Sequence, residues 1–254
     1  MAPGLAASVS PARKTSADHR RRATLIQGSG DTPELLQATK TRWIDLLRFR
    51  QTWGLFWARF LSDPVWWFYL FWLPKYLVEQ RGFTMVEMGR LAWLPYLTAD
   101  AGSIFGGVLS GYLVKREWPV LKARSAGMLP FALLMPLSIV IAFTPSTPVT
   151  LLIICIVTFA HMAWKTNLMT LTNDIYPTRV VGSVSGLAAF GNGLGGAIFT
   201  YLTGHIVQRF SCNSIFIIMG FLHPAAYLIF MLLVRGPISS FAAEPAPSLS
   251  RVAT

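Results

Sequence analysis

WGLFWARFLSDPVWWFYLFWLPKYLV, residues 53–78, is apolar for longer than a hydrocarbon core of about 30 Å requires at 1.5 Å per helical residue. Only Arg59, Asp63 and Lys75 carry charge in it. Arg59, about a turn and a half into the run, is within snorkelling reach of one surface, and Asp63, four residues on, shares its helix face, so the two are expected to pair locally. Trp66, Trp67, Tyr69 and Trp72 occupy the middle and outer half of the run. An interfacial belt would sit at the run's ends, so some of these rings are expected to face a cavity.

Five further stretches have the same character: about 91–114, 125–143, 148–172, 183–206 and 213–234. The 254 residues are 53% hydrophobic and 13% charged, against about a quarter charged in soluble domains. Six such stretches joined by short connections leave no polar face for water, which predicts an all-α membrane protein with six transmembrane helices (53–235). No connection is long enough for a soluble catalytic module.

The net charge of +11 is explained by topology. With the first residues in the cytoplasm, six spans return the C-terminus to the same side. Sixteen lysines and arginines then lie in cytoplasmic segments against four outside, the positive-inside pattern. This predicts a multi-pass protein of the inner membrane with both termini cytoplasmic, partnered by the lipid bilayer and not by nucleic acid. Cys155 and Cys212 imply no disulfide framework, and neither they nor the scattered His161, His205 and His223 form a metal or nucleophile constellation. The pattern implies no enzyme, metal or cofactor.

Residues 1–40, rich in Ala, Ser, Pro and Arg, read as a disordered cytoplasmic segment, and 236–254 as a cytoplasmic tail. Between the first segment and the first span, residues 41–52 alternate basic and apolar positions at helical spacing and predict an amphipathic surface helix. Gly102, Gly106, Gly107 and Gly111 form one small-residue stripe, and Gly186, Gly191, Gly195 and Gly196 another, which permits close helix packing.

Ionisable and polar groups within the spans mark the candidate site. Asp100 and Lys165 each lie near mid-span, and an interhelical pair contested by a substrate anion is one expectation; a fixed structural pair or separate polar contacts is the other. His161, Trp164, Lys165, Thr166, Asn167 and Thr170 make the fourth span the most polar, so it must face protein or water. Asp174 and Arg179 flank Pro177, where a salt bridge or latch is expected. Aromatic faces with the Tyr69 hydroxyl suit a polyhydroxylated ligand.

RFLSDPVWWFYLFWLPKYL (59–77), YLTADAGSIFGGVLSGYL (96–113) and FAHMAWKTNLMTLTNDIYPTRVVGSVSG (159–186), in this order, resemble the last six helices of the anion:cation symporter group of the major facilitator superfamily, similar to its bacterial hexuronate and sugar-acid transporters. The resemblance covers about residues 40–235. It implies uptake of a sugar-acid anion with protons by alternating access between two six-helix halves, with Trp67, Thr166, Asn167 and Asn192 at cavity-facing positions of the C-terminal half. The family's coupling carboxylate and main substrate arginines belong to the other half. The resemblance therefore implies a separate N-terminal half, a homodimer partner, or a gene fragment. A truncated, non-transporting scaffold or partner subunit is the competing class.

Overall fold

The computed structural model describes residues 43–210 and 212–235. The expected disordered segment (1–40) and tail (236–254) lie outside these. Every regular element among the described residues is helical: α1 (Trp43–Leu46), α2 (Arg50–Ser62), α3 (Pro64–Phe71), α4 (Leu73–Arg81), α5 (Met85–Leu91), α6 (Leu94–Lys115), α7 (Val120–Leu134), a 3-10 turn (Met135–Leu137), α8 (Ser138–Ile141), α9 (Thr147–Ile175), α10 (Thr178–Arg209) and α11 (Cys212–Leu233).

Of the surface helix expected over 41–52, the described residues begin at Trp43; among them Trp43–Leu46 is helical before extended backbone at Phe49 (φ −86°, ψ 123°), and Arg50 already opens α2.

Proline placement accounts for the segmentation that follows. Pro64 and Pro74 have no N–H to donate, so the first rod divides into pieces of 13, 8 and 9 residues. Hydrogen bonds nevertheless carry across the joints, Trp67 N to Asp63 O at 3.4 Å and Tyr76 N to Trp72 O at 2.9 Å. Pro136 likewise converts the third rod to a 3-10 turn. At the turn into α5, Gly82 adopts φ +68°, a left-handed conformation that favours glycine, and Thr84 with Glu87 forms a capping box.

Four stretches, Met85–Lys115, Val120–Ile141, Thr147–Ile175 and Cys212–Leu233, are long and apolar enough to cross a membrane. The two remaining rods are the proline-jointed α2–α4 and α10, 32 residues long and glycine-rich.

The packing repeats itself. The rods form two triplets, α2–α4/α6/α7–α8 and α9/α10/α11. The first rod of each packs chiefly against the second and third of the other: α9 on α6 and α7, α2 on α10 and α11. In both triplets the second rod presents a glycine pair to its partner. A Cβ on Gly102 or Gly106 would run into the α9 backbone at Phe159 and Ala163. One on Gly191 would come 2.8 Å from Phe56 O, and one on Gly195 would strike the Phe60 carbonyl. Both expected stripes therefore pack helices, through the first pair of one and the central pair of the other. Gly107 meets only a Thr166 methyl at ordinary contact distance, and Gly111 and Gly186 meet nothing within 4 Å.

Polar ties close the two ends. At one, Arg124 Nε donates to Asp174 Oδ2 (2.9 Å) and its Nη1 to Ser110 Oγ (2.7 Å), joining α6, α7 and α9. Asp174 thus meets an arginine 50 residues away in addition to any neighbour near Pro177. Thr52 Oγ1 and Tyr176 Oη share a 2.7 Å hydrogen bond at the same end. Burial pushes the Tyr176 phenol up to about 12, so it remains neutral. At the other end Arg81 Nε donates to Tyr76 Oη (2.7 Å) and Nη2 to Ile141 O (3.2 Å). Replacing Thr52 with Val should cost about 1 kcal/mol, read as a lowered melting midpoint in detergent.

Candidate functional site

A cleft lies between α3 and α10. It has a volume of about 550 Å³ and is lined by Trp67, Phe71, Gly193, Gly196, Ala197, Thr200 and Tyr201. Trp67 organises it. Its Nε1–H donates to Asn192 Oδ1 at 2.9 Å, and its indole stacks on Phe71 with centroids 5.6 Å apart and planes 14° from parallel. Gly196 makes room for the ring, since a Cβ there would stand 2.5 Å from indole Cδ1 and Nε1. The walls are aromatic and small, with the Thr200 and Tyr201 hydroxyls as polar groups, a surface that packs sugar C–H faces while leaving hydroxyls to hydrogen-bond.

Of the expected site residues, Trp67 and Asn192 are brought together here. Tyr69 is not at the cleft: two residues on from Trp67 it lies about 200° round the helix and is 1% exposed, packed edge-on to Phe68. Trp164 is fully buried, edge-on to His223 and Tyr227. Asn167 is fully buried too, and its Nδ2 donates to Gly106 O (2.9 Å) and Ala163 O (3.0 Å), so it reinforces the α6–α9 seam. Thr166 Oγ1 bonds Ser103 Oγ at 2.7 Å across that seam and remains half-buried, as does Lys165.

The expected Asp100–Lys165 pair does not form. Asp100 is exposed on α6, and the ion pairs among the described residues join other partners. The α6 glycines that face α9 explain this: Asp100 lies about 200° round the helix from Gly102 and points away from Lys165's helix. The Arg59–Asp63 pair is present, Nε to Oδ2 at 3.0 Å, with side chains 11% and 1% exposed.

Sequence reasoning missed Thr200, Tyr201 and Phe71. The signal was available in α10, where Asn192, Gly196 and Thr200, and beside them Gly193, Ala197 and Tyr201, recur every four residues.

The major facilitator superfamily model matches residues 5–200. The chain belongs to the major facilitator superfamily. The match also reaches into the N-terminal segment, which the motif resemblance had left out. Superfamily membership makes this a multi-pass membrane protein and places it outside the enzymes, and the twice-used triplet packing agrees with the inverted three-helix repeats nested in each half of such proteins.

Among curated relatives, the hexuronate transporter of Escherichia coli strain K12 is 29% identical over 230 residues, covering 88% of this chain and 53% of the relative. A probable galactarate/D-glucarate transporter of Bacillus subtilis is 29% identical over 241 residues, covering 90% and 51%. A D-galactonate transporter of Escherichia coli O6:H1 is 25% identical over 185 residues, covering 71% and 43%. The chain spans about half the length of the curated relatives it matches.

Proposed function

We propose that this chain supplies one six-helix half of a secondary transporter that moves a sugar acid, a hexuronate or aldonate, together with protons by alternating access. In this reading α2–α4 and α10 cross the membrane beside the four more apolar stretches. That makes six spans in the inner membrane, with both termini cytoplasmic in keeping with the basic segments. The cavity closes between this half and an opposing one.

The observation that carries the reading is the Trp67–Asn192 hydrogen bond at a cleft of about 550 Å³ walled by Phe71, Thr200 and Tyr201. The indole and phenyl faces offer stacking surfaces, and Asn192 and the two hydroxyls offer donors and acceptors for sugar hydroxyls. Lys165, half-buried and joined to no carboxylate among the described residues, is the cation for the substrate's carboxylate. Thr166 borders it. Tyr69, Trp164 and Asn167 act behind this surface, holding the helices that display it.

Trp67→Ala removes the stacking face and the donor together. Uptake of labelled glucuronate and galactonate into proteoliposomes under an inward proton gradient should fall at least about tenfold, equivalent to about 1.4 kcal/mol. Asn192→Ala should fall less, because the ring remains. Undiminished uptake by well-folded Trp67→Ala protein would contradict the assignment.

A further inference from the structure

Directly behind Trp66 the structure buries two histidines against each other. His161 on α9 and His223 on α11 are both 0% exposed, and His161 Nδ1 lies 3.1 Å from His223 Nε2. The Trp66 indole lies flat on the His161 ring, centroids 5.9 Å apart and planes 7° from parallel. Trp164 packs edge-on against His223 at 5.6 Å. The outer nitrogens, His161 Nε2 and His223 Nδ1, have no hydrogen-bond partner among the described residues.

This geometry has a definite proton inventory. One N–H fills the inner hydrogen bond, whichever ring donates it. Each neutral imidazole carries one N–H in total. The donor ring therefore has a bare outer nitrogen, and the acceptor ring carries its proton on its outer nitrogen. The neutral pair thus always holds one vacant lone pair in a dry site. A proton taken from hydronium at the bare nitrogen makes the pair a cation with both outer positions filled. Transfer of the inner proton across the hydrogen bond to the other ring, followed by loss of that ring's outer proton, restores neutrality with both tautomers reversed, so a proton is carried from α9 to α11 or back.

The charges around the pair decide when it accepts that proton. Lys165, one turn along α9 from His161, carries the charge that a protonated pair would carry. Tyr227 on α11 packs on Trp164, and Tyr96 on α6 packs edge-on to Trp66 at 5.9 Å; both are phenols. At the α2–α3 junction Arg59 and Asp63 are closed on each other. The ionisable residues of α7, Lys122 and Arg124, lie in its first turns. Asp100 on α6, in no ion pair among the described residues, is exposed and turned away from α9, which leaves Lys165 as the uncompensated charge one turn from the pair among the described residues.

We propose that the His161–His223 pair is a proton-binding site of this half, loaded when a carboxylate neutralises Lys165. The proposal rests on the sugar-acid reading for the identity of the carboxylate and on the histidine geometry for the site itself. Anion and proton then bind cooperatively, each raising the other's affinity by the same factor.

The test uses the full chain in lipid nanodiscs with 15N-labelled histidine. His161→Gln and His223→Gln assign the signals. In Lys165→Glu, a built-in carboxylate replaces the cation, and the imidazolium signature of the pair should appear at a pH at least about one unit higher than in wild type. Sodium glucuronate added to wild type should move it the same way, with proton uptake from the medium that His223→Gln abolishes. If the pair's signals are identical in wild type and Lys165→Glu between about pH 4 and 8, the pair is an inert interhelical hydrogen bond and the proposal is overturned. If Lys165→Glu shifts them and glucuronate does not, the proton site stands, while the assignment of Lys165 to the sugar acid falls.

Discussion

Gly106→Leu yields little or no folded protein. The side chain would have to enter where the α9 backbone at Ala163 already lies, and the neighbour that must yield is a carbonyl held by Asn167. Overpacking a well-filled core costs about 1–3 kcal/mol where side chains can rearrange. Here a helix axis must move, so the cost exceeds that range. The same displacement breaks the Ser103–Thr166 bond on the same seam. Gly102→Leu should behave alike, because its Cβ meets Phe159 one turn away. Gly111→Leu is the control: nothing stands within 4 Å of a Cβ there, and its yield of monodisperse protein and its melting midpoint should match wild type. Equal stability of Gly106→Leu and Gly111→Leu would show that the α6–α9 seam is not closed as described.

Asp63→Ala is expected to be nearly as damaging for an electrostatic reason. Arg59 Nε is held at 3.0 Å by Asp63 Oδ2 in a site where the acid is 1% exposed. Removing the acid leaves a cation buried without its counter-charge, which costs about 3–5 kcal/mol in comparable buried pairs. The double replacement Arg59→Met with Asp63→Leu removes both charges and should restore most of the stability. The comparison of single and double variants by thermal melting separates the pair's net worth from the penalty of an orphaned charge. If the double variant melts as low as Asp63→Ala, lost packing and not uncompensated charge explains the effect.

How much of this was legible beforehand follows from what a periodic chain reveals. Long apolar runs located all six rods, and the i, i+4 spacing of Arg59 and Asp63 disclosed their pair, because both signals are local. Depth along a helix was legible as well: Asp100 and Lys165 are each far from a helix end. Azimuth was not assigned. The glycines that turn α6 toward α9 were visible as a stripe, and laying Asp100 on the helical wheel against them would have shown it facing away. The same step separates Trp67, at the cleft, from Tyr69, in the core. The His161–His223 contact was not legible by any local rule, since 62 residues, with the whole of α10 between them, separate the rings. α7, which packs on both α9 and α11, holds the two helices near each other.

Trp67, Asn192 and Lys165 are assigned here to the recognition of an anionic sugar. The most direct measurement is equilibrium binding of glucuronate, with glucose as the neutral counterpart, to the folded wild-type chain in nanodiscs. Glucuronate should bind saturably, at least about tenfold tighter than glucose, and more weakly in Lys165→Gln. Folded protein that binds neither sugar, or binds glucose as tightly as glucuronate, would contradict it.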